Sequence, residues 1–272
     1  MDPKLTPCDN QRLAGILVPD PDQATQDDAN QAPCWGTNPD GTAKLCQLGS
    51  TSGARKRLLA IGDSHNNALI GVYQQIADAN QWEIDVAGKG GCYLTEATQQ
   101  QLSTADQTAC ERWRHEVIKF TTATNYDAII VTHSAYDNRV IPPAGQTVEQ
   151  YTIAGLVQAW KKLPDIPIFA IRDNPSMPVS ELACVSSHRE SAAKACPVAK
   201  HEALMFDGQA QAAEEFAGRV QVIDLTSYYC TATICPPVIG HVLVYRDPSH
   251  LTATYAKTLF PYINQPIVAQ IR

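Results

Sequence analysis

The sequence has no run of apolar residues long enough to cross a bilayer as a helix, so no membrane span is expected within it. It has no dense stretch of Lys and Arg. With 28 acidic against 21 basic side chains the net charge is -7, which argues against nucleic acid as a partner. No Cys-x-x-Cys pair or Cys/His cluster has the spacing of a zinc site, so no metal is expected. The opening "MDPKLTPCDNQRL" lacks both the basic start and the apolar core of a signal peptide, and no internal repeat is found.

Cysteine, by contrast, is plentiful, with residues at 8, 34, 46, 92, 110, 184, 196, 230 and 235. Neighbours in sequence suggest the pairs Cys34–Cys46, Cys92–Cys110, Cys184–Cys196 and Cys230–Cys235, although spacing alone does not prove connectivity. Cys8 is then left over, or exchanges with Cys34 or Cys46. Disulfides imply an oxidising compartment. Oxidised cysteines without an export signal suggest a piece of a larger exported or membrane-tethered protein.

The chain of 272 residues is long enough for one large α/β domain. Residues 1–53 are rich in Pro, Asp, Asn, Gln and Gly without a sustained period, and read as an irregular extension held by disulfides. From residue 54 to 272 short apolar runs alternate with helical patterns. "RLLAIG", "WEIDVAG", "YDAIIVTH", "IPIFAIRD" and "VQVIDL" are strand candidates, so a mostly parallel five-stranded sheet between helices is expected. Trp113, Val117, Ile118 and Phe120 fit one helix, and Tyr151, Ile153, Leu156, Val157, Trp160 and Leu163 another, as core rather than cofactor contacts. A hairpin is expected around Gly240, a turn at Asp247-Pro248, and a final helix from about Leu251.

In such sheets ligands bind beyond the carboxyl ends of the strands. There the run "RLLAIG" breaks at "GDSH" and resumes at helical spacing with Leu69, Val72, Tyr73 and Ile76, which puts Ser64 at the turn. A serine hydroxyl is a weak nucleophile without a base and a group to fix that base's tautomer. "DPSH" offers both: Asp247 can accept from one imidazole nitrogen of His250 and leave the other facing outward. The alternative is that Asp247 or Ser249 merely caps the helix that follows.

Together, Gly62-Asp63-Ser64 and Asp247-x-x-His250 resemble the first and last blocks of the SGNH, or GDSL-like, hydrolases. "GDSH", "KGGCY" and "YYCTATICPPVIGHVLVYRDPSHLT" are similar, more narrowly, to the SGNH domains fused behind acyltransferase-3 membrane domains in bacterial polysaccharide and O-antigen O-acetyltransferases. The resemblance implies a flavodoxin-like three-layer α/β/α sandwich and a triad of Ser64, His250 and Asp247. It implies transfer of an acetyl group to a carbohydrate hydroxyl through acetyl-Ser64, without a cofactor. The donor would come from a membrane acyltransferase domain outside this sequence, in the periplasm. A secreted carbohydrate acetylesterase and a catalytically idle glycan-binding domain are the alternatives.

The negative oxygen of the intermediate needs preorganised donors. The amides of Ser64 and Gly91 are the expected pair, Gly91 because "GKGG" follows the second strand. The family's third block, Gly-x-Asn-Asp, is absent. "VTHSAYDN" stands there, with His133, Ser134 and Asn138 as possible replacements, Asn138 the one chosen. Asp63 reads as a turn-bonding carboxylate and His65 as a helix-start residue rather than a second base. His115, His188, His201 and His241 have no partner pattern.

Overall fold

In the computed structural model the described residues are 15–38, 42–50, 52–100, 103–136 and 140–271. Ten strands are found among them: β1 Cys46–Gly49, β2 Arg57–Gly62, β3 Glu83–Gly88, β4 Ala128–Thr132, β5 Ile168–Ile171, β6 Val198–Ala199, β7 Val220–Ile223, β8 Ile234–Cys235, β9 Val238–Ile239 and β10 Val242–Leu243. Six form the central sheet in the order β1-β3-β2-β4-β5-β7. All its pairings are parallel except β1 on β3. The sheet therefore has one strand more than the five apolar runs predict. The sixth comes from the segment expected to be irregular, where Cys46 pairs with Val86 and Leu48 with Ile84 at the sheet edge.

The contiguous apolar run of β2 follows from burial on both faces. Leu58 and Ala60 pack with Tyr73 and Ile76 of helix α2 (Ile70–Asn80) and with Tyr255, Leu259, Ile263 and Ile267 near the C-terminus. Leu59 and Ile61 face the other way, onto Trp113 and Val117 of α3 (Thr104–Ala123) and Leu156 and Trp160 of α4 (Val148–Trp160). α1 (Ser64–Ala68) leads directly off β2. Two helical layers thus enclose the sheet, as the periodicity predicts. β9 and β10 form the expected hairpin around Gly240.

All four disulfides expected from sequence neighbours are formed: Cys34–Cys46, Cys92–Cys110, Cys184–Cys196 and Cys230–Cys235. Cys8 lies outside the described residues. The N-terminal segment is anchored to the carboxyl end of β3, where the Gly36 amide donates to the Gly88 carbonyl at 2.7 Å. Asn67 of α1 donates to the Cys34 carbonyl at 3.1 Å and to Asn30 Oδ1 at 2.8 Å. The segment therefore buttresses the same end of the sheet as "GDSH".

Candidate active site

Gly62 closes β2 where only a glycine fits, because a Cβ there would stand 2.0 Å from the Thr132 carbonyl oxygen. The chain then turns at Asp63, which caps α1, and Ser64 is the first helical residue, half-buried. The Asp63 carboxylate accepts the His65 amide at 2.9 Å and the Ser134 amide at 2.8 Å, tying the end of β2 to the loop after β4. This is the turn-bonding role expected of it. Burial pushes its pKa upward, opposed by nearby histidines and by these two amides.

At the far end of the chain, His250 Nδ1 lies 2.9 Å from both carboxylate oxygens of Asp247. Asp247 Oδ1 also accepts the amides of Ser249 at 3.0 Å and His250 at 2.8 Å. Burial opposes the charge, but the His250 bond and the two amides outweigh it and hold Asp247 well below the usual carboxylate range. The helix Ala253–Thr258 is capped by Thr252, whose hydroxyl accepts the Tyr255 amide, so Asp247 and Ser249 are not its caps. The loop after β5 fixes the turn: Met177 donates its amide to Pro248 O at 2.6 Å, and Asn174 Nδ2 donates to Ser249 O at 2.7 Å.

The two sequence blocks meet. The His250 ring stands 4.8 Å, centroid to centroid, from the ring of His65, the residue next to Ser64, with the planes at 54°. His250 Nε2 is buried and makes no hydrogen bond with any described group, the Ser64 hydroxyl included. One imidazole nitrogen is thus committed to Asp247, while the other has no partner among the described residues.

Sequence reasoning missed a second imidazole–carboxylate pair. His65 Nδ1 lies 2.5 Å from Asp173 Oδ1, both side chains being buried. Asp173 follows β5, and its other oxygen accepts the Ala135 amide at 2.6 Å. Burial lowers the proton affinity of His65, but Asp173, then Asp63 and Asp247, more than offset this and raise its pKa to about 9. The one signal available in the sequence is position, since "RDNP" follows a strand as "GDSH" does.

Gly91 sits at φ +65° in a turn closed by the Cys92 amide on the Lys89 carbonyl at 2.9 Å, a conformation that favours glycine. The Lys89 amide donates to Gly62 O at 3.1 Å, which holds this loop beside the end of β2, and Gln99 Nε2 donates to Gly91 O at 3.3 Å. His133 stacks on Tyr93 at 4.1 Å, and its Nδ1 lies 3.4 Å from Gln209 Nε2. Asn138 lies outside the described residues. Among the described residues one group of potential metal ligands is found, Cys184, His188 and Cys196, whose two cysteines are joined as a disulfide.

No curated protein matches the chain in sequence. Among solved structures the chain is similar to the periplasmic domain of a lipopolysaccharide acetyltransferase from Salmonella ser. Paratyphi A. The two are 17% identical with a TM-score of 0.61, over 92% of this chain and 98% of that one. A carbohydrate acetylesterase family member from Sinorhizobium meliloti is a more distant likeness, at 15% identity and TM-score 0.46 over 79% and 99% of the respective chains. The family model described as "SGNH domain (fused to AT3 domains)" matches residues 29–265. The chain belongs to this family of SGNH domains.

Proposed function

We propose that this domain transfers an acetyl group to a carbohydrate hydroxyl through an acetyl-Ser64 intermediate. The observation that carries the reading is the His250 imidazole, fixed through Nδ1 by Asp247, with Nε2 buried and without a partner among the described residues, and with its ring packed against that of His65, the residue that follows Ser64. Ser64 Oγ attacks the acetyl carbonyl while its proton passes to His250 Nε2, and the backbone at Ser64 and Gly91 receives the developing negative oxygen. Collapse of the intermediate returns that proton to the leaving group. A sugar hydroxyl then loses its proton to His250 and attacks acetyl-Ser64, which frees the serine and yields the ester.

The acceptor class is a bacterial surface polysaccharide such as O-antigen. This is supported by membership of a family fused to AT3 domains and by the shared fold of a lipopolysaccharide acetyltransferase domain. The acetyl donor is presented by a membrane acyltransferase domain, which places this domain, tethered, in the periplasm. Four disulfides fit that compartment.

The test is incubation with p-nitrophenyl acetate, with and without an O-antigen oligosaccharide, followed by mass spectrometry of the sugar. Acetylated sugar that Ser64→Ala abolishes is expected. Release of acetate alone, unchanged by acceptor, would make the domain an esterase, and no turnover at all would leave it a binding module.

A further inference from the structure

His65 and Asp173 have no place in that mechanism, yet they are buried within it. Two ionised groups held out of water are costly unless every polar atom is paired. Asp173 meets this condition, with one oxygen on His65 Nδ1 and the other on the Ala135 amide. His65 does not: its Nε2 is buried and has no partner among the described residues. The charged and titratable groups around the ring are Asp63 on its own turn, Asp173 after β5, and Asp247 and His250 from the C-terminal turn. No acceptor for Nε2 is found among the described residues, which leaves it able to meet an atom of a molecule bound in the site.

Its position says which atom that is. His65 adjoins Ser64 in the chain and His250 in space. We propose that His65 is a further catalytic residue, whose Nε2–H donates to the acyl oxygen as it becomes negative on Ser64, with Asp173 fixing the ring through Nδ1. The inference rests on Ser64 being the nucleophile. No proton is transferred by His65; it supplies a fixed donor and a positive charge where negative charge forms.

The role has a pH signature that a merely structural histidine lacks. Asp173 holds the remaining proton on Nδ1 when His65 becomes neutral, so the Nε2 donor exists only in the cation. With its pKa raised to about 9, His65 carries that donor throughout the neutral range and loses it as the pH rises through that value.

The experiment measures the rate of Ser64 acetylation by p-nitrophenyl acetate against pH, corrected for spontaneous hydrolysis. Wild type, His65→Asn, His65→Gln and Ser64→Ala are compared. Asn sets its amide near the place of Nδ1, where it can still meet Asp173, and Gln near the place of Nε2. The Asn variant should lose about 10²- to 10³-fold in kcat with KM within about threefold. The Gln variant should lose much less, and the wild-type decline near pH 9 should vanish in it.

A flat wild-type profile through that range, a decline that persists in the Gln variant, or a fully active Asn variant would each overturn the proposal. The wild-type profile tests the proposal even if a variant does not fold. If Ser64→Ala stays active the nucleophile assignment itself fails, whereas a dead Ser64→Ala beside an active His65→Asn removes only the role of His65.

Discussion

His250 Nδ1 is equidistant, at 2.9 Å, from the two carboxylate oxygens of Asp247 three residues before it, and the same carboxylate accepts the His250 amide. Side chain and backbone of the histidine are therefore oriented by one group. Asp247→Asn keeps the shape of the turn but can present an N–H to the imidazole, which permits the wrong tautomer. The expected result is a loss of kcat of about 10⁴-fold with KM nearly unchanged. A loss below about tenfold would mean that Asp247 only shapes the loop.

The His65–Asp173 pair makes stability depend on pH in a direction that follows from its sign. His65 has a higher pKa folded, about 9, than in the unfolded chain, about 6.5. The folded state therefore binds the proton more tightly. The pair's contribution is full below about pH 6.5 and is lost as the pH rises to about 9. Thermal unfolding should show Tm falling by roughly 5 °C or more across that window, and the slope should flatten in Asp173→Asn. The same slope in wild type and variant would contradict the assignment of this pair.

Cys92–Cys110 joins the residue after Gly91 to α3. Replacing both cysteines with serine frees a loop of 18 residues, a loss of about 3 kcal/mol on chain-entropy grounds, or roughly 5–10 °C in Tm. Because the Gly91 turn borders the end of β2, Ser64 acetylation should slow as well. Calorimetry and the acetylation assay on the double variant check both effects. An unchanged acetylation rate would separate the turn from the chemistry.

Much of this organisation is legible in the sequence because it is local. The runs of β2, β4 and β5 are contiguous and apolar, as buried parallel strands are, and the turns carrying Ser64 and His250 have their signature residues side by side. β1 is not legible: in Cys46–Gly49 only Leu48 is buried, so no alternation marks it, and its pairing is set by register against β3. His65 reads as a helix-start residue, which it is, but its function depends on Asp173, 108 residues away. Nothing local distinguishes an aspartate that orients an imidazole from one that opens a turn.

The central claim, that Ser64 is the nucleophile and His250 its base, is tested most directly by treating the protein with a fluorophosphonate and mapping the modified peptide by mass spectrometry. The account predicts a single adduct on the peptide containing Ser64, formed at least about 10³-fold more slowly in His250→Ala. An adduct on another residue, or equal labelling of the two proteins, would contradict it.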